Sequence, residues 1–281
     1  MVRVGVHVSI AGSIAQSVGR AEKAGCDTFQ IFSRNPRGWA CKPLAEEDVS
    51  AFRRALDRTD IRPVVDHMPY LPNPATPKDD LYEKSVETLM TELERCRVLG
   101  IPYLVTHLGH HPGAGIEEGR ARVIAAVNRA LDTAEGDVML LLENTAGEKN
   151  GVGSTFEDIR AVIDGIELPE KTGVCFDTCH AFAAGYDLRT EDAIRDVLER
   201  FNDIIGLDML KVVHLNDTKG DLGSGLDRHE HIGLGYIGRN GFAHILKNEV
   251  FRARPLICET PVDERRDDAG NIAVVRELAG S

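Results

Sequence analysis

Eight short apolar runs recur along the chain, and six of them end on a His, Asp or Glu. Those six are RPVVDH to His67, PYLVTH to His107, VMLLLE to Glu143, TGVCFD to Asp177, LKVVH to His214 and RPLICE to Glu259. The full set predicts strands near 2–9, 26–32, 62–67, 102–107, 138–143, 173–178, 210–215 and 255–260. Most of these runs are continuous rather than alternating, as expected of parallel strands covered on both faces. Between them, amphipathic stretches predict helices near 13–24, 45–58, 79–99, 117–134, 155–164, 190–205, 239–248 and 262–278. Thr155 before FEDI and Thr190 before EDA are helix start signals, and Gly100 is a stop signal after the third helix.

Strand and helix thus alternate eight times, at roughly the 30-residue spacing of a βαβ unit. The pattern predicts an α/β fold, a (β/α)8 TIM barrel, with all strand C-termini gathered at one mouth. No Pro/Ser linker or low-complexity tract interrupts 1–281, so one domain is expected. The longest loops also leave strand C-termini: FSRNPRGWACKP after the second, MPYLPNPATPKDD after the third, and NDTKGDLGSGLDRHEHIGLGYIG after the seventh. Loops on that face of a barrel are where substrates are held.

Histidine nitrogens and carboxylate oxygens converging on one mouth point to a metal site. Mixed His/carboxylate sets suit zinc, with manganese or iron as competitors. A carboxylate can bridge two cations, and two ions about 3.5–4 Å apart clamp an in-line displacement at phosphorus. Asp177-Thr178-Cys179-His180 and Asp227-Arg228-His229 extend the set. His7 reads as a hydrogen-bonding support rather than a ligand, His110 and His111 as loop residues, His244 as a helix residue and His231 as an uncommitted neighbour of His229. Gly233-Leu-Gly235-Tyr-Ile-Gly238 matches a dinucleotide fingerprint, but GSGLDRHEHI before it is too polar for the strand that motif requires.

Composition narrows the setting. Hydrophobic residues make up 42% and mean hydropathy is -0.20, which is ordinary for a chain with a sizeable core. No apolar run approaches the ~20 residues of a membrane span. The N-terminus reads as a strand rather than a signal segment, so a cytoplasmic location is expected. Six cysteines without a C-x-x-C pair read as reduced. The net charge of -12 disfavours a broad basic face for nucleic acid. Much of the acid lies in stretches such as AEEDVSAFRRALD, on the expected outer ring, and cations at the mouth would locally offset it.

GVHVS at 5–9, ENTAG at 143–147, FDTCHAFAAGYD at 176–187, HLNDTK at 214–219, DRHEHIG at 227–233 and CET at 258–260 resemble the endonuclease IV family of zinc-dependent apurinic/apyrimidinic endonucleases. The resemblance runs over essentially the whole chain and implies a barrel with three Zn2+ ions at its mouth. On its pattern, His67 and His107 would hold the first ion, and Glu143 would bridge it to a second held by Asp177, His214 and Glu259. His180, Asp227 and His229 would hold the third. Asn35, Arg37, Trp39, Tyr70 and Leu71 match the DNA-contacting positions, which enter the minor groove. The implied reaction is repair cleavage of the phosphodiester 5′ to an abasic site by metal-bound hydroxide. It would leave a 3′-hydroxyl and a 5′-deoxyribose phosphate, with Glu143, Asp177 and Glu259 as catalytic carboxylates. Double-stranded DNA containing abasic sites is the implied partner, with no membrane, no nucleotide cofactor and a monomeric state expected. The alternative is a metal-dependent sugar isomerase or epimerase of the xylose-isomerase-like type. It accounts for the strand-end residues but not for His180, Asp227 and His229, nor for Arg37, Tyr70 and Leu71.

Overall fold

Connections long enough to hold a helix return each strand parallel to the one before it. The computed structural model describes residues 2–280. Its barrel strands are β1 (Arg3–Val6), β2 (Phe29–Ile31), β3 (Val64–His67), β4 (Tyr103–His107), β5 (Met139–Glu143), β6 (Thr172–Asp177), β7 (Leu210–His214) and, after a small hairpin of β8 (Asp217–Thr218) and β9 (His229–Glu230), β10 (Pro255–Cys258). They pair in the order β1-β10-β7-β6-β5-β4-β3-β2. A parallel bridge between His7 and Gln30 joins the two ends, and the Val8 N–H donates to the Gln30 carbonyl at 2.8 Å. The ring is therefore closed.

The helices around it are α1 (Gln16–Ala24), α2 (Glu46–Leu56), α3 (Asp79–Leu99), α4 (Ile116–Thr133), α5 (Phe156–Asp164), α6 (Thr178–Ala183), α7 (Glu191–Ile204), α8 (Gly238–Lys247), α9 (Glu249–Arg252) and α10 (Asp268–Ala279). The expected caps form: Thr155 and Thr190 accept from the N–H groups of Asp158 and Ala193 at 3.1 and 3.2 Å. Gly100 ends α3 at φ 74°. Two expectations need correction. The last helix starts at Asp268 rather than near 262, because the chain first turns at an Asp263–Arg266 bridge and Asp267 then caps the helix. The short α6 and α9 lie outside the expected helices; Asp177 nucleates α6 by accepting the His180 N–H at 2.8 Å, and Asn248 caps α9 by accepting the Val250 N–H at 2.9 Å. Among the described residues, no helix is long and apolar enough to cross a membrane.

Two apolar layers fill the structure. One lies between strands and helices, with Leu104, Leu140, Val174, Phe176 and Leu256 among its members. The other is the barrel interior: Val65, Val105, Leu141, Cys175, Val212 and Ile257, each fully buried. Side chains two apart on a strand share a face. The residues two positions beyond these six are His67, His107, Glu143, Asp177, His214 and Glu259. One periodicity thus sets both the packed interior and the polar ring above it.

Candidate metal centre

Glu143 stands at the middle of the mouth. Its Oε2 lies 3.2 Å from His67 Nε2 and 3.1 Å from His107 Nε2. Its Oε1 lies 3.0 Å from His214 Nδ1 and 3.3 Å from His180 Nδ1. Four groups at this centre have ligand atoms within 4.8 Å of one another: His67, His107 and Glu143; Glu143, Asp177, His214 and Glu259; His180, Asp227 and His229; and Asp177, Cys179 and His229. All nine residues singled out from the sequence are therefore brought together. Asp227 and His229 reach the mouth on the β8–β9 hairpin, at 3.3 and 3.4 Å from Asp227 Oδ1 to His180 Nε2 and His229 Nε2 respectively.

The hydrogen bonds behind the imidazoles show whether cations fit here. Carbonyl oxygens only accept, so the ring nitrogen facing one carries the hydrogen. His67 Nδ1 faces the Met68 carbonyl at 2.7 Å, His180 Nδ1 that of Asn144 at 3.0 Å, and His229 Nδ1 that of Glu259 at 3.0 Å. His214 is turned the other way, its Nε2 donating to Gln30 Oε1 at 2.8 Å. In the neutral rings the remaining nitrogen then presents a bare lone pair to a carboxylate. His229 Nε2 is buried with no hydrogen-bond partner at all. Lone pairs facing lone pairs repel, and a cation between them reverses the sign. The donor set fits metal ions, supported in the way ligating histidines usually are.

Without metal, protons take that part. Burial pushes the Glu143 carboxyl up, but His107 and His214 outweigh it and hold it well below the ordinary range. Burial pushes Glu259 up too, yet His214 and His7 hold it well below. Burial lowers His214, while Cys175, Glu259 and Glu143 raise it well above the usual imidazole value. Burial likewise lowers His180, and Asp177, Asp227 and Glu143 overcome it to raise that ring well above. Cys175 and Cys179 sit nearby, but burial pushes both thiols up to about 12, and all six cysteines are free.

Several supporting residues were not singled out from the sequence. Asn216 Nδ2 donates to Asp177 Oδ2 at 2.7 Å, and its Oδ1 accepts the Glu259 N–H at 2.7 Å. Asn144 Oδ1 accepts the Asp177 N–H at 2.8 Å. Both are polar residues immediately after or two beyond a strand end, which is the signal that could have found them. The fingerprint-like glycines also gain a role. Asp217 Oδ2 accepts the N–H groups of Gly233, Gly235 and Gly238, and Oδ1 those of Thr218 and Ile237, at 2.8–3.2 Å. An internal carboxylate occupies the amide nest where a phosphate would bind. A Cβ on Gly235 would come within 2.3 Å of the Thr218 carbonyl, so this close wrapping requires glycine.

The loops after β2 and β3 form a rim beside the centre. Asn35, Arg37 and Trp39 are exposed, as are Tyr70 and Leu71, at 66% and 37% for the last two. The Tyr70 N–H donates to the Pro36 carbonyl at 3.1 Å, joining the two loops. Phe32 lies beneath: its ring sits 5.0 Å from that of Tyr70, 5.6 Å from His67 and 4.3 Å from His7. Arg34, in the same loop, is buried against Glu92 at 3.5 Å. It anchors the loop from below through the Gly38 and Trp39 carbonyls. Arg239 is likewise paired, with Glu277. Lys149, Lys219 and Arg228 remain exposed.

The family model that matches residues 18–278 is described as a xylose isomerase-like TIM barrel. Fold and site together define the class: a parallel barrel with a candidate His/carboxylate metal centre at its C-terminal mouth. A relative from Methanoculleus marisnigri, described as "Probable endonuclease 4", is 67% identical over 282 residues, covering 100% of both chains. The crystal structure of endonuclease IV from Thermus thermophilus superposes with a TM-score of 0.88 at 36% identity, covering 99% of each chain. The chain belongs to the endonuclease IV family. A D-tagatose 3-epimerase-like protein also superposes, with a TM-score of 0.71 over 98% of this chain and 97% of the other. At 20% identity that likeness concerns the fold alone.

Proposed function

We propose that this protein is a DNA repair endonuclease that hydrolyses the phosphodiester 5′ to an abasic site. Water adds to phosphorus, the bond to the 3′ oxygen breaks, and the products are a 3′-hydroxyl and a 5′-deoxyribose phosphate. Three zinc ions would be held by His67, His107 and Glu143, by Glu143, Asp177, His214 and Glu259, and by His180, Asp227 and His229. Manganese or iron would be the competitors at some of these positions. Bound there, the ions would supply Lewis acidity toward the phosphate oxygens and lower the pKa of water to about 7.

The observation that carries this reading is a buried carboxylate, Glu143, shared between imidazoles at 3.0–3.3 Å beside exposed Tyr70, Leu71 and Arg37. Ions in that cage would turn an acidic mouth positive, which offsets the chain's overall negative charge where phosphate arrives. Arg37, Lys149, Lys219 and Arg228 would meet the backbone. Asn35, Trp39, Tyr70 and Leu71 would fill the minor groove and hold the abasic nucleotide out of the stack. An abasic nucleotide has no base to unstack, so its extrusion costs less than that of an intact one. The reading takes 1–281 as one domain, acting as a cytoplasmic monomer without a nucleotide cofactor.

The test is incubation of zinc-loaded protein with end-labelled duplexes, one carrying an abasic analogue and one intact. A single cut leaving a 3′-hydroxyl, on the abasic duplex only and lost on chelation, is expected. Full zinc occupancy without cleavage would overturn the proposal and turn attention to sugar isomerisation.

A further inference from the structure

Gln30 is a fully buried polar residue in the middle of β2, inside the apolar run TFQIF. Both ends of its amide are engaged. Oε1 accepts from His214 Nε2 at 2.8 Å, and Nε2 donates to Glu259 Oε1 at 2.7 Å while lying 3.0 Å from His7 Nδ1. A carboxylate oxygen only accepts, so Glu259 fixes which end of Gln30 is the amide nitrogen. That in turn makes the opposite end an acceptor, and His214 must carry its hydrogen on Nε2.

We infer that Gln30 is a positioning residue for the cation site of Glu143, Asp177, His214 and Glu259, orienting two of its ligands with one side chain. The inference rests on the metal-centre reading above and deepens it. His214 presents Nδ1 to Glu143 Oε1 at 3.0 Å and to Glu259 Oε2 at 3.2 Å. His67, His180 and His229 have a main-chain carbonyl behind Nδ1 and present Nε2 instead. Of these four, His214 is the one whose orientation depends on a side chain, and that side chain sits across the barrel interior. The same residue closes the ring, since the Gln30 carbonyl accepts the Val8 N–H at 2.8 Å. Barrel closure and ligand orientation are therefore a single device.

Two measurements test this. Nitrogen-15 histidine NMR of the zinc-loaded natural protein should show one histidine bound through Nδ1, with a protected Nε2–H, beside others bound through Nε2. A spectrum with every bound histidine using Nε2 overturns the inference. In Gln30→Met, which keeps the bulk and loses the polar ends, competitive chelator titration should show one ion weakened about 10- to 100-fold, the usual effect of losing such a support. The other ions should keep their affinity, and the protected Nε2–H signal should vanish. Equal weakening of all ions, or of none, sinks the positioning role. If Gln30→Met does not fold, the spectrum of the natural protein decides alone. A natural protein that binds no zinc through histidine would remove the metal-centre reading itself, which distinguishes that failure from this one.

Discussion

Replacing Glu143 by Gln keeps the volume of the side chain and removes one charge from a fully buried position. Four imidazole nitrogens lie 3.0–3.3 Å from its two oxygens, and three of them, His67 Nε2, His107 Nε2 and His214 Nδ1, belong to the two candidate ion groups that include Glu143. Either orientation of the new amide turns its NH2 toward two of those nitrogens. Taking one member from a buried charge pair costs about 3–5 kcal/mol, because the partner stays buried without compensation. At about 1.4 kcal/mol per tenfold, that corresponds to a loss of about two to three and a half orders of magnitude in affinity for the ions sharing the bridge. The assay is elemental analysis after dialysis against a weak chelator, run beside cleavage of a labelled abasic duplex. Glu277→Gln, on the outer face of α10, serves as the control for loss of one negative charge. We expect the Glu143 variant to lose at least one equivalent of zinc and more than about a hundredfold in cleavage, in line with that affinity loss. A variant that holds the full complement and cuts within about tenfold of the natural protein would refute the bridging role.

Three further outcomes rest on the same geometry. Tyr70→Ala should weaken binding of an abasic duplex by about 1–3 kcal/mol, the usual worth of one base-stacking aromatic, with zinc content unchanged; equal affinity in a fluorescence titration would reject its placement against DNA. Asp217→Asn should leave two or three loop N–H groups facing an NH2, at about 1–3 kcal/mol each, lowering the melting temperature by several degrees and loosening the ion held by Asp227 and His229. Unchanged melting and metal content would show that the amide nest does not brace the hairpin. The metal-stripped protein should show a stability window set by its titrating pairs. His107, His180 and His214 are raised in the fold, so their contribution is complete below the ordinary 6.5 and is lost as pH rises through the higher folded values. Glu143 and Glu259 are lowered, so theirs is complete above the ordinary 4.5 and is lost on acidification. Thermal unfolding of stripped protein should therefore peak between these limits, while zinc, which replaces the protons, should extend stability to higher pH. A stripped protein that gains stability above pH 6.5 would contradict these shifts.

Much of the architecture was legible from the chain because it rests on local periodicity. Alternating strand and helix patterns implied the barrel, and the run that ends at each strand implied which residue emerges at the mouth. The ligand-type residues sit two beyond an inward apolar residue, and that relation is a property of a single strand. The boundaries of α10 and the existence of α6 were not legible, since a bridge between Asp263 and Arg266 and a cap from Asp177 decided them.

The order of elements, the ring of His, Asp and Glu at the strand ends, and a likeness strong enough to imply a metal-dependent nuclease can all be read from the chain unaided. How those side chains are held emerges only once the chain has folded. Gln30 reaches His214 across 184 positions of sequence, Asp217 gathers amides from a glycine loop, and Arg34 turns inward to Glu92 instead of outward to solvent. None of these follows from spacing along the chain. Each depends on which segments closure of the barrel brings face to face, and on burial that leaves a polar group to find its partners within the protein instead of in water.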